Sequence, residues 1–187
     1  MKIVIFTGAG ISAESGLGTF RNSGGLWEKF AIEDVATPEA WSRNPKLVLD
    51  FYNQRRSDSK NANPNRAHLA LKKLEDYHEV HIITQNIDDL HERAGSKNIL
   101  HLHGEIMKAK TSEQSQDFHP VEYGIELGDL GKDGLQLRPH VVWFGEAVPE
   151  LERAILITEQ ADIFIIIGTS LNVYPAASLV SRTLTRI

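Results

Sequence analysis

The chain has 187 residues, 41% of them hydrophobic and 24% charged, with a net charge of −5. That size suits one hydrophobic core carrying a small appendage, and that charge excludes a general attraction to nucleic acid or anionic membrane. There is no cysteine, so a disulfide framework and a thiolate metal site are both excluded.

Residues 2–6 (KIVIF) read as a first strand. The apolar run before Thr7 is too short for a signal-peptide core, and nothing later approaches the roughly 20 apolar residues of a membrane span. A cytoplasmic location is expected. The stretch GAGISAESG follows and is expected to open a helix; Gly8, Gly10 and Ala13 satisfy G-x-G-x-x-G/A. That spacing lets backbone N–H groups approach a pyrophosphate, but a tight β–α turn could require it equally. A hydride-transfer enzyme would add an acidic residue about 20 residues on, at the end of a second strand. Glu28 instead lies in loop-like GGLWEKF with no strand before it, which disfavours a dehydrogenase.

Residues 18–64, with Pro38, Pro45 and Pro64, read as loops and short helices inserted after the first unit. A helix is expected over 65–77, with Leu69, Leu71 and Leu74 near one face, then a strand over 80–84. Residues 88–95 (DDLHERAG) open on carboxylates and close on glycine, as a short helix does. Strands are expected over 98–102 and 140–144, a helix over 149–161 and a strand over 162–168. The last strand is so apolar that it reads as the centre of a parallel sheet, buried on both faces. Between 108 and 139 the chain is polar, acidic and glycine-dotted, and reads as a small module; the chain ends in a helical pattern. Alternating strands and helices imply an α/β fold with a Rossmann-like, mostly parallel sheet.

NILHLHGEIM places His101 and His103 on one side of a strand, where a shared metal is geometrically possible. Such a site would need two further ligands from elsewhere.

Taken in order, GAGISAESGLGTFR (8–21), TQNIDDLHERAG (84–95), HLHGE (101–105), VVWFGE (141–146) and IGTSLNVYPA (167–176) resemble the sirtuins, NAD-dependent protein lysine deacylases. The resemblance runs from residue 3 to about residue 180. DVATPEAW (34–41) and FYNQRR (51–56) look like the class III branch, which favours acyl groups with a distal carboxylate.

The resemblance implies a single catalytic domain over 1–187, with NAD bound by 2–107 and 138–187 and a small inserted module over 108–137. It implies His103 as general base and Asn86 as its catalytic companion; His101 has no such role and the metal pair falls away. NAD would contact Gly8, Ala9, Gly10, Ala13, Thr19, Phe20, Arg21, Trp27, Gln85, Asn86, Ile87, Asp88, Gly168, Thr169 and Ser170. Asp88 could equally cap the helix after it, and GTS is also a good helix entry. The acyl-lysine peptide would lie as an added strand between VVWFGE and SLNVYPA, against Val142, Phe144, Gly145 and Val173. In this family the substrate carbonyl attacks the ribose carbon bearing nicotinamide, and the products are free lysine, nicotinamide and O-acyl-ADP-ribose.

Ala36 matches a small residue that leaves room for a long acyl chain, and Tyr52 and Arg55 would grip its carboxylate from one helix face. On composition alone, Arg55 and Arg56 fit a solvated basic turn. Most sirtuins bind a structural zinc through four cysteines in the module; Thr111 stands where the first is expected. No metal is therefore expected, and packing of Phe118, Val121, Tyr123, Ile125 and Leu127 would hold the module. Family members also continue into a strand that contacts adenine, so weak NAD binding, poor stability or oligomerisation are expected, with an NAD-binding module of little turnover as the alternative.

Overall fold

The computed structural model describes residues 1–19 and 30–183. The chain begins with Lys2–Thr7 (β1) and a 3-10 helix, Ala9–Ser15, followed by the helices Ile32–Val35 (α1), Pro38–Arg43 (α2), Pro45–Asn61 (α3) and Arg66–Leu74 (α4). Then come Glu79–Thr84 (β2), Leu90–Arg93 (α5), Ile99–His101 (β3), Gly104–Lys110 (β4), His119–Pro120 (β5) and Arg138–Val141 (β6). The described part closes with Leu151–Glu159 (α6), Ile163–Ile167 (β7), a 3-10 turn at Ala176–Ser178 and Leu179–Thr183 (α7).

Side chains alternate across β1. Val4 and Phe6 enter one core with Ile83, Leu100, Ala154 and Leu179, while Ile3 and Ile5 enter another with Leu71, Val80 and Ile82. A sheet covered by helices on both faces accounts for this apolar run. Its strands are parallel in the order β3-β2-β1-β7. The register aligns Thr7 with Thr84 and Ile167, and Thr84 with His101. The segments leaving β1, β2, β3 and β7 therefore start at one level, and the order reverses between β1 and β7, where open α/β sheets bind ligands.

Several expectations change. β7 is an edge strand among the described residues, and Ile163 and Ile166 are 40% and 38% exposed; an apolar run alone does not say how many neighbours a strand has. Leu69 is exposed while Leu71 is buried, since residues two apart lie nearly opposite on a helix. The insertion after the first unit contains α3, a helix of 17 residues rather than short pieces. Asn44 caps it by accepting the Leu47 N–H, and Pro45 occupies its first turn. Its buried face carries Val48, Leu49, Tyr52, Arg56 and Ser59.

A second, antiparallel sheet has the order β5-β4-β6. It begins at Gly104 and ends at Val141, so its strands extend beyond the 108–137 segment. The predicted strand over 140–144 stops at Val141, after which 142–146 form a turn with Gly145 at φ 94°. Gly104 has φ 84°, and a Cβ there would collide with the His140 carbonyl oxygen. His103 thus sits at the joint where the chain passes from one sheet to the other. Val121 and Ile125 pack with Leu49 and Ala109, and Phe118 lays its ring 4.2 Å from that of His140, whereas Tyr123 and Leu127 are exposed and do not hold the module as expected. Polar contacts assist: Asn53 bonds both backbone groups of Ile125, and the Thr111 hydroxyl donates to Asp133 at 2.6 Å.

Candidate functional site

The loop after β1 and the loop after β7 meet at the sheet's carboxyl edge. Gly10 N–H donates to the Gly168 carbonyl at 2.8 Å and Gly8 N–H to Ile167 at 3.1 Å. Gly168 has φ 65°, and a Cβ on it would collide with Ile11 N and lie 2.7 Å from Gly10 C. Only glycine permits that approach. The segment after Gly10 winds as a 3-10 helix that turns Ile11 and Ser12 inward and leaves Ala13 outward. Nor does GTS enter a helix directly, since regular structure resumes only at Ala176. Asn65 Nδ2 fastens the 3-10 helix by donating to the Ile11 carbonyl at 2.7 Å.

Over these loops lies a cavity of about 510 Å³, within the usual range for small-molecule sites. Gly8, Ala9, Gly10, Thr19, Gln85, Asn86, Ile87, Gly168, Thr169 and Ser170 line it, with His103. Ala36, Tyr52, Arg55, Val142, Phe144, Gly145 and Val173 line the same cavity. Asp88 lines a smaller neighbouring cavity of about 30 Å³ with Ser12 and Arg55. Ala13 is exposed and lines neither cavity, contrary to expectation. Phe20, Arg21 and Trp27 lie outside the described residues. Ser12, Phe51, Trp143, Glu146, Tyr174 and Pro175 line these cavities without having been singled out. All six lie inside the quoted motifs, Ser12 in 8–21, Phe51 in 51–56, Trp143 and Glu146 in 141–146, and Tyr174 and Pro175 in 167–176, and that membership is the signal that could have found them.

Polar side chains fix the floor. Gln85 Nε2 donates to Thr169 Oγ1 at 2.8 Å, bridging the ends of β2 and β7. Asn86 Nδ2 donates to Ser12 Oγ, which donates to Asp88 Oδ2 at 3.0 Å. Asp88 Oδ1 also accepts the Leu90 N–H, so it serves the start of α5 as well. Burial raises the Asp88 pKa above the usual carboxylate value, against the pull of these bonds.

His103 Nδ1 lies 3.0 Å from the Gln85 carbonyl. A carbonyl can only accept, so Nδ1 carries the proton and Nε2 of the neutral ring keeps its lone pair. Burial lowers the His103 pKa and the Gln85 bond opposes the shift only in part, which keeps the ring a neutral base near pH 7. His101 does not face the cavity: its nitrogens meet the Asn86 carbonyl and the Glu92 carboxylate.

Tyr52 and Arg55 reach the cavity from α3. Burial raises the Tyr52 pKa, so its hydroxyl stays a neutral donor. Burial lowers that of Arg55, against the attraction of Asp58 and Asp88. Arg56 is fully buried, with Nε donating to the Ile106 carbonyl at 2.8 Å, so the alternative of a solvated basic turn does not hold. The 142–146 turn is braced by Arg138, whose guanidinium bonds Glu146 at 2.5 Å and stacks 3.3 Å from the Trp143 ring. Among the described residues no group of three or more His, Asp or Glu could hold a metal, and no helix is long and apolar enough to cross a membrane.

A family model described as the Sir2 family matches residues 8–175. An NAD-dependent protein deacylase of Bacteroides thetaiotaomicron is 55% identical over 184 residues, covering 95% of this chain and 79% of the relative. One of Helicobacter pylori is 58% identical over 178 residues, covering 95% and 78%. A solved complex of a Sir2 homologue with NAD superposes with TM-score 0.88 at 43% identity, over 99% of this chain and 74% of that one. A Sir2 complex with a deacetylated peptide and O-acetyl-ADP-ribose superposes with TM-score 0.83 at 34% identity, over 97% and 77%.

Proposed function

The chain belongs to the Sir2 family, and on that premise we propose that its acyl pocket selects protein lysines whose acyl groups end in a carboxylate. The coarser activity is NAD-dependent protein deacylation, in line with the relatives' names. The residues present suit NAD: two glycine-packed loops at the topological switch, hydroxyls on Thr169 and Ser170, and amides on Gln85 and Asn86. When bound, NAD would supply a ribose whose anomeric carbon releases nicotinamide and whose neighbouring hydroxyls receive the acyl group.

The rest falls to this chain's own groups. Backbone around Gly8, Ala9 and Gly10, with Thr169 and Ser170, would hold the phosphates, and Thr19 would border them. Gln85, Asn86, Ile87 and Asp88 would hold the nicotinamide ribose and its amide. His103 Nε2 would take the proton of a ribose hydroxyl, its ring oriented by the Gln85 carbonyl. Phe20, Arg21 and Trp27 keep the roles that the family pattern gives them.

The N–H groups of Val142, Trp143 and Phe144 already donate to His103, Glu146 and Ala36. A peptide strand beside them would therefore pair with the carbonyls of this turn, and with the segment at Val173 across the cleft. Such pairing reads backbone, so sequence selectivity should be loose.

One observation carries the acyl preference: Tyr52 and Arg55 line the same cavity as His103, with small, buried Ala36 beside them. A desolvated guanidinium and a neutral phenol can together donate three hydrogen bonds to one carboxylate. An acetyl group would leave those donors without that acceptor. The test is the initial rate of NAD-dependent deacylation on one peptide sequence bearing acetyl-, malonyl- or succinyl-lysine. Faster loss of the two acidic groups is expected; a preference for acetyl would refute the pocket assignment while leaving the deacylase.

A further inference from the structure

His101 and His103 leave the end of β3 on the same side and take consecutive carbonyls of the 85–88 turn. His103 Nδ1 holds Gln85 at 3.0 Å, and His101 Nδ1 holds Asn86 at 2.9 Å. The rings differ at their second nitrogen. His103 presents Nε2 to the cavity, whereas His101 Nε2 lies 2.8 Å from Glu92 Oε1 on α5. A carbonyl accepts only, and so does an ionised carboxylate. Satisfying both requires both His101 nitrogens to donate, which only the imidazolium can do.

The surroundings agree. The His101 side chain is 9% exposed while its partner Glu92 is 41% exposed. The titratable groups facing the ring are Glu92 and His91 of α5, Asp88 of the turn, Glu105 of β4 and His140 of β6. Burial holds His91 near 3 and His140 near 4, so both are neutral at physiological pH, and the remaining neighbours are carboxylates. Burial disfavours the His101 charge, yet the Glu92 bond and charge and the Asn86 carbonyl raise its pKa on balance. The Glu92 pKa moves down, as an ion pair requires.

We propose that His101 is a positioning residue, an imidazolium that ties the Asn86 carbonyl to the Glu92 carboxylate and so fixes the 85–88 turn against the strand end that carries His103. The turn is then anchored on every side: Gln85 by His103 and Thr169, Asn86 by His101 and Ser12, and Asp88 by Ser12 and Leu90. Deprotonation of His101 breaks one of its two bonds and frees the turn, which confers an alkaline limit on NAD use distinct from the acid limit set by protonating His103.

The inference rests on the deacylase reading, and two measurements separate their failures. Imidazole nitrogen NMR of the ligand-free protein, assigned with His101→Gln, should show both His101 nitrogens protonated at neutral pH and His103 protonated at Nδ1 alone. A bare His101 nitrogen there would overturn the proposal whatever the enzyme does. In pH profiles of kcat/KM for NAD, Glu92→Gln keeps an acceptor but removes the charge, so the alkaline limb should move to lower pH while the acid limb stays. His101→Gln should abolish that limb and lower kcat/KM on the order of tenfold, as loss of a charge-assisted bond does. A purely structural contact would change the melting temperature and leave the limb in place, overturning the proposal. Absence of NAD-dependent deacylation in the unaltered protein would instead refute the functional reading, and the NMR result would then decide the bridge by itself.

Discussion

Replacing Arg55 with Met removes the guanidinium while keeping a long apolar stem on α3. Arg55 lines both cavities and is desolvated, so a substrate carboxylate meeting it gains a charge-assisted bond worth about 1.5–3 kcal/mol. At 1.4 kcal/mol per factor of ten, kcat/KM for a succinyl peptide should fall roughly 10- to 100-fold. Acetyl turnover should change by less than about threefold, because that group has no charge to lose. Tyr52→Phe keeps the ring that packs 5.0 Å from Phe51 and 6.5 Å from Trp143 and removes one neutral bond. It should cost about 1 kcal/mol, roughly fivefold, on succinyl alone. If both side chains grip one carboxylate, the double variant should lose less than the two single losses multiplied together. Competition between succinyl and acetyl peptides in one mass-spectrometric assay measures these ratios directly. Equal losses on both peptides would refute the carboxylate pocket and make Arg55 a general support for the turn beside Asp88.

Two further predictions concern stability. His68 and His91 are fully buried, with rings 4.9 Å apart, and burial sets their pKa values at about 4 and about 3. Both lie below the unfolded value near 6.5, so the unfolded chain binds more protons in acid and stability is lost as pH falls below about 6.5. The loss should reach about 2 kcal/mol per ring by about pH 5; thermal melts at pH 7 and pH 5 should show a shallower pH slope for His68→Gln, and an unchanged slope would contradict the assignment. Arg56→Leu should destabilise the fold by about 2–4 kcal/mol in denaturant titrations, because it takes the Nε donor from the buried Ile106 carbonyl and the Nη1 donor from Asn53 Oδ1, which keeps only its Ile125 N–H; a loss below about 1 kcal/mol would contradict that role for the bridge.

Apolar, β-branched runs placed β1, β2, β3 and β7 within a residue or so, because parallel strands buried between helices must be written that way. The same feature hid the edge position of β7, since neighbours are a long-range property. β4 went unread because GEIMKAK lies in a small antiparallel sheet, where glycine and charged residues are tolerated on the open face. Conversely, VVWF looks like a strand but turns after Val141, where Glu146 captures the Trp143 N–H. Gly8 and Gly10 carried a local signal in their spacing after a strand, whereas the 85–88 turn and the Gly168 loop were legible only through the resemblance of TQNIDDLHERAG and IGTSLNVYPA. That Phe51 and Trp143 line the cavity and that Arg56 is buried was not legible, because the α3 face that meets the second sheet is fixed only by packing against Ile106 and Val141.

The most direct test is mass spectrometry of a succinyl-lysine peptide incubated with NAD and the protein, beside a His103→Ala variant whose folding is confirmed by its melting temperature. Desuccinylated peptide, nicotinamide and O-succinyl-ADP-ribose should appear in equal amounts with the unaltered protein and be lost with the variant. Turnover that persists undiminished without the His103 imidazole, or free succinate formed without NAD, would contradict the assignment.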